Sequence, residues 1–368
     1  MNERVSTLEL FFDLVFVFTI TQVARLVSNA HGTGDLGSAA LILTIAWWMY
    51  GGYAWLTNNV GTRGFSLRLL MLFGTGAYFV MALSIPRAAN EDGLPFGIAY
   101  ALVTLVHAAL FTRATNSSAR AIVGIAPYNF LAAACVIGAA FLDPAWRWAG
   151  WLAAVLVFFA SSVRRREGGF QLNASHFAER HGLVIIVAIG ESVVSLGSGV
   201  ETAAVRWPLI RVVALGFALC AGIWWSYFDG DDERGERALR DAPDAARTRL
   251  GLMAYGYAHL GMVGGIVCIA AGLHDAIASL GGTIPPRHAW ILAGGVALYL
   301  VSDKWFRVLL ELDRSHWRGI AALLAIATAL VGFRVSSAAQ IGSLVAILIG
   351  MLTVEHHASR LKKKSRAT

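Results

Sequence analysis

The run His181-Gly-Leu-Val-Ile-Ile-Val-Ala-Ile-Gly-Glu-Ser-Val-Val-Ser195 holds a single acid in a stretch that is otherwise apolar, small or hydroxylic after its first residue. In lipid such a stretch is a helix, because a helix satisfies its own backbone polar groups where water is absent. His181, Val184, Ala188, Glu191, Ser195 and Ser198 recur at steps of three and four and so share one helix face. Glu191 lies ten residues beyond His181, about 15 Å along the axis, near the middle of a hydrocarbon core about 30 Å thick.

Outward from this block the chain repeats the same composition. Apolar blocks of about 20 residues fall at roughly 9–29, 36–57, 66–86, 95–112, 120–141, 146–163, 180–199, 206–228, 250–274, 289–309, 317–334 and 339–355. Of the 368 residues 57% are hydrophobic and 14% charged, against about one quarter charged in a soluble domain. The expected fold is therefore all-α, a polytopic helical membrane protein of about twelve transmembrane helices. The gap at 229–249 is a polar linker with partial helix, too short for a nucleotide-binding unit. Glu9 and Asp13 interrupt the first block where a cleavable leader would be cleanly apolar, so that block is read as a retained helix.

Lysine and arginine set the orientation. With both termini in the cytoplasm, the inside gaps hold 22 of these residues, among them Arg164, Arg165, Arg166, Arg180, Arg234, Arg237, Arg307 and Arg318. The outside ends hold 5: Arg87, Arg147, Arg206, Arg287 and Arg334. That bias places both termini inside. The net charge of +7 then follows from topology and calls for no nucleic-acid partner, for which a located motif is also missing. The tail Lys362-Lys363-Lys364 is expected against anionic lipid headgroups. Cys135, Cys220 and Cys268 lie far apart in apolar blocks and imply no disulfide framework or metal site.

The two halves read as a duplication. Trp47-Trp48-Met-Tyr50 recurs as Trp224-Trp225-Ser-Tyr227, 177 residues on; Arg68, Ala77 and Met81 recur as Arg249, Ala258 and Met262 at a spacing of 181; Asp13 precedes Glu191 by 178. Six helices per half is an even number, so the repeats are parallel, at 1–167 and at 168–368 with its basic tail. Joined halves can themselves form the symmetric unit, so no oligomer is inferred.

Glu9 and Asp13 are four residues apart on one helical face, and Asp13 enters the hydrocarbon edge. An intramembrane carboxylate costs about 2.5 kcal/mol or more, so it faces protein or a wet cavity. Asp13 is either an ion or proton site or a lock paired to an inside arginine, and Glu191 either titrates or is a neutral acid bonded to Ser192, to Ser195 or to another helix. His107 with Tyr100 and Thr104, and His259 with Tyr255, are candidate relay members against a satisfied structural histidine. Asp303 is expected to pair with Arg307, while Gly51-Gly52 and Gly264-Gly265 allow close helix approach. His176, Glu179, Arg180 and His181 do not make the His-Glu-x-x-His zinc spacing, and no phosphate loop, dinucleotide fingerprint or nucleophile elbow occurs. No metal or other cofactor is expected.

Glu9-Leu-Phe-Phe-Asp13-Leu-Val-Phe-Val, Trp47-Trp48-Met-Tyr, Phe177-Ala-Glu-Arg-His-Gly-Leu with Gly190-Glu191-Ser192, and Trp224-Trp225-Ser-Tyr-Phe-Asp229 resemble the bacterial low temperature requirement protein A family over essentially the whole chain. The resemblance implies a multi-pass protein of the bacterial inner membrane and marks Glu9, Asp13, Glu179, Glu191 and Asp229, with Arg180 and His181, as characteristic. It supplies no substrate or reaction. Repeated halves with costly acids point to a proton- or ion-coupled secondary transporter of a small solute or cation, with Glu9, Asp13, His107, Glu179, Arg180, His181, Glu191, Ser195, Asp229 and His259 as candidate site residues. A lipid-modifying intramembrane enzyme, with His181 and Glu191 as base and acid, and a non-catalytic scaffold or stress sensor stay open beside it.

Overall fold

The structure, a computed structural model, describes residues 5–60, 64–89, 91–112, 116–163, 172–198, 206–280, 282–312 and 316–367. Arg4, Arg63, Arg113, Arg164, Arg165, Arg166 and Arg314 of the charge argument lie outside them, as do the side chains of Arg120, Lys362, Lys363, Lys364 and Arg366. Among the described residues there is no strand.

The helices are α1 (Thr7–Ser28), α2 (Thr33–Asn59), α3 (Phe65–Ala88), α4 (Leu94–Phe111), α5 (Asn116–Ala139), α6 (Arg147–Val163), α7 (Ala174–Ser198) and α8 (Trp207–Phe228). The short α9 (Asp231–Asp241) and α10 (Asp244–Leu250) follow, and then α11 (His259–Ala278), α12 (Pro286–Leu309), α13 (Trp317–Ala327), α14 (Ala329–Arg334) and α15 (Ser337–Ala367). Local chemistry sets several starts. Ser6-Thr-Leu-Glu9 is a capping box, with Ser6 Oγ accepting from Glu9 N–H at 3.4 Å and Glu9 Oε2 accepting from Ser6 N–H at 2.8 Å. Prolines open α4, α8 and α12, where a missing N–H costs nothing. Gly64 and Gly230 enter α3 and α9 at φ of 115° and 92°, a region that favours glycine.

Among the described residues, eleven helical stretches are long and apolar enough to cross a membrane. The expected block at 289–309 is a helix of 24 residues, α12, but it is not among the eleven: Arg287, Asp303, Lys304 and Arg307 dilute it. The block at 317–334 is two helices, parted at Thr328, whose hydroxyl bonds Ala325 O at 2.7 Å. A π-helical segment, Gly251–Ala258, leads into α11. The 229–249 linker is largely helical, as α9 and α10.

Packing divides the chain into two units, Met1–Val184 with Leu239–Leu252, and Ile185–Ala238 with Met253–Thr368. In the first, α1 packs on α2 and α3, the series α3, α4, α5, α6 packs each on the next, and α2 lies against α6. In the second, α11, α12 and α13 pack in series, α13 and α14 lie on α15, and α8 lies against α15. The core of the first unit is aromatic: Phe12 stacks on Tyr53 with centroids 4.7 Å apart, and Phe16 meets Tyr50 at 4.4 Å. Outer faces are apolar too, with Leu69, Phe73, Leu83 and Leu105 each about half exposed, as suits a lipid solvent.

Candidate functional site

The strongest concentration of buried charge in the first unit lies where the N-terminal turns of α1 and α7 meet. Glu9 and Asp13 stand on one face of α1, and His176 and Arg180, also four residues apart, on one face of α7. Arg180 is 1% exposed. Its Nη1 donates to Glu9 Oε1 at 3.4 Å, Tyr53 O at 3.3 Å and Thr57 Oγ1 at 2.5 Å, and its Nη2 to Asp13 Oδ1 at 3.2 Å. The guanidinium carbon also lies over the Phe12 and Tyr50 rings, 5.6 and 5.5 Å from their centroids.

The two acids are held differently. Glu9 accepts from Ser6 N–H at 2.8 Å, Ser6 Oγ at 2.7 Å, His176 Nε2 at 3.1 Å and Arg180 at 3.4 Å. Four donors thus converge on this one carboxyl group. Asp13 receives one nitrogen of Arg180. The state of His176 follows from Asn58, whose amide exchanges two bonds with the Asn173 backbone: Nδ2 to O at 3.1 Å, and Asn173 N–H to Oδ1 at 2.8 Å. That orientation turns the Asn58 NH2 toward His176 Nδ1, at 3.4 Å. Nδ1 is thus the acceptor and Nε2 carries the hydrogen given to Glu9. Two carboxyl groups thus face one guanidinium.

The other predicted residues scatter. Glu179 is exposed and accepts from Val5 N–H at 3.4 Å, off the buried face. His181 is buried beside Trp47, Tyr50 and Phe177 and donates through Nδ1 to Phe177 O at 2.8 Å. His107 donates through Nε2 to the Gly52 carbonyl, 3.1 Å away, and its buried Nδ1 has no hydrogen-bond partner among the described residues. Glu191 and Ser195 belong to the second unit, where the hydroxyl donates to the carboxylate at 3.5 Å. His181, Val184, Ala188, Glu191 and Ser195 are all buried, while Ile186, Val193 and Val194 on the other faces are exposed. In the second unit His259 bonds the Tyr227 hydroxyl at 2.9 Å, with Nδ1 on the carbonyl of Ala254, five residues earlier, in the π segment. Asp229 is exposed, at the C-terminal cap of α8.

A second charge cluster had been only partly legible. Asp303 pairs with Arg318 and not with Arg307. Arg307 instead reaches Glu355 at 3.1 Å and Asp231 at 3.6 Å, and Arg318 joins both acids at 3.2 and 3.1 Å. The within-helix pair loses because α13 and α15 bring longer-range partners into the same buried space. His176 and Glu355 were missing from the candidate residues. The four-residue step from His176 to Arg180 was the available signal for the first, and nothing local marks the second. A cavity of about 750 Å3 between α3 and α4 is lined by Leu72, Phe73, Val80 and Ile98 and holds none of the candidate residues.

Apolar helices that bury ion pairs among themselves define a polytopic integral membrane protein. The chain belongs to the bacterial low temperature requirement A protein (LtrA) family, whose model matches residues 4–353. It is similar to a protein of Rhizobium meliloti (strain 1021) described as uncharacterized, at 28% identity over 370 residues, covering 94% of this chain and 88% of that one.

Proposed function

We propose that the chain is a proton-coupled secondary transporter of the bacterial inner membrane, with both termini in the cytoplasm and Asp13 as the proton carrier. The observation that carries this is the unequal donor count: Glu9 has four donors and Asp13 one, around a single arginine. Arg180 keeps its proton under all conditions, so the set changes charge only by a proton on Asp13 or on His176, whose lone pair Asn58 occupies. With Asp13 protonated the set is neutral. Without the proton it carries one negative charge in a medium of low dielectric, which favours a cation or a rearrangement of Arg180. Glu191, with Ser195, supplies a second acid at membrane depth and is the candidate for the solute-linked step. The cargo is a small solute or cation.

A pH step across proteoliposomes on a solid-supported membrane reads proton binding without knowledge of the cargo. The wild-type chain should give a transient current absent from protein-free vesicles, and Asp13→Asn should lose most of it while staying folded. Equal transients in the two proteins would remove Asp13 from the role. The four acceptors gathered on Arg180 favour a second reading, a helix staple in a non-catalytic protein; wild-type vesicles that give no transient at all would support that reading instead.

A further inference from the structure

In the second unit, beside the N-terminal end of α9, lies a cavity of about 330 Å3 into which four arginines and three acids project. Its volume is at the small end of the range for ligand pockets, about 300–1,000 Å3. We propose that it binds the phosphate of an anionic phospholipid headgroup.

Two layers of arginine play different parts. Arg307 and Arg318, 4% and 3% exposed, form the floor and are consumed by Glu355, Asp231 and the deeper Asp303. Counting Asp303, positive and negative groups balance, so the argument rests on where donors are left. Arg234 and Arg237 stand three residues apart on the cavity side of α9. Arg234 is engaged with Asp231 and with Gly230 O. Arg237 is exposed, and among the described residues its one bond is from Nε to Glu233 O at 3.2 Å, which leaves both terminal nitrogens for a ligand. Planar guanidinium forks match phosphate oxygens, and the floor arginines prevent the acids from repelling an anion.

Tryptophan places the cavity at headgroup level. Trp224 and Trp225 precede the lining residue Ser226, Trp305 comes two residues before Arg307, and Trp317 precedes Arg318. All four indoles are between 39% and 54% exposed. Exposed tryptophans gathered from three helices mark the membrane–water boundary, where a phosphate is tethered to acyl chains. A site for free phosphate would need no such collar. Basic pockets between helices on the arginine-rich side suit anionic headgroups.

The test measures binding of dioctanoyl phosphatidylglycerol, dioctanoyl phosphatidylcholine and inorganic phosphate to the full chain in neutral detergent. Phosphatidylglycerol should bind, and more weakly as salt rises; phosphatidylcholine should not. Arg237→Gln, on an exposed side chain that leaves the fold intact, should weaken binding about tenfold, and the double variant R234Q/R237Q further. Arg25→Gln, exposed in the other unit, serves as the control and should bind as wild type. Equal binding of the two lipids, wild-type binding by both arginine variants, or inorganic phosphate binding as tightly as the lipid would each overturn the proposal.

Discussion

Arg180 shows what one side chain does here and how much of it the sequence discloses. Replacing it with Ala leaves Glu9 and Asp13 facing each other without the cation, and breaking a buried pair in this way costs about 3–5 kcal/mol. Arg180→Ala should therefore lose several kcal/mol in unfolding titrations with sodium dodecyl sulfate, followed by tryptophan fluorescence. Adding Asp13→Asn should recover part of that loss; if the double variant is less stable still, the pairing has been misassigned. Ser6→Ala belongs to the same chemistry, since Ser6 both caps α1 and holds Glu9. It should cost about 1 kcal/mol on the same titration. The sequence marked Asp13 through its cost in lipid, Glu9 through its place four residues before it, and Arg180 through the inside charge count and the family resemblance. It did not pair them, because apolarity alone set the helix start at Arg180, whereas α7 begins at Ala174 and carries His176 and Arg180 as one buried stripe. Polar first turns are invisible to a hydropathy argument.

At the scale of the element, the glycines separate what a sequence suggests from what packing decides. Gly51-Gly52 and Gly264-Gly265 look alike on paper. A Cβ on Gly265 would sit 2.7 Å from Gly295 O and from Tyr299 N, backbone atoms of α12 that cannot turn aside, whereas a Cβ on Gly51 meets nothing within 4 Å. Gly265→Ala should force α11 and α12 apart and cost about 1–3 kcal/mol. Gly51→Ala should be neutral or stabilise by up to about 1 kcal/mol through helix propensity. Thermal denaturation of both variants in one detergent checks the contrast, and equal losses would remove the α11–α12 contact as the cause. The π segment before α11 was equally hidden, since a search at 3.6 residues per turn has no place for the five-residue step from Ala254 to His259.

For the whole molecule, the blocks of the sequence gave the helical membrane class at once, because lipid admits few other solutions. The number of crossings was harder, since α12 carries charges that serve the Arg318 cluster and lower its hydropathy. That number fixes where the ends lie. Within each unit the middle helices pack in series, α3 to α6 in one and α11 to α13 and then α15 in the other, and α2 on α6 matches α8 on α15. If the halves are duplicated as the sequence spacing suggests, α12 crosses as the counterpart of α4, the crossings are even, and the N- and C-termini lie on one side. Single cysteines in a background lacking Cys135, Cys220 and Cys268 can decide it. In intact cells an impermeant maleimide should label Asp92→Cys and Thr283→Cys, beside α4 and α12, and should reach Ser6→Cys and His357→Cys only after permeabilisation. If Ser6→Cys and His357→Cys label from opposite sides, α12 does not span, and the parallel repeat falls with it.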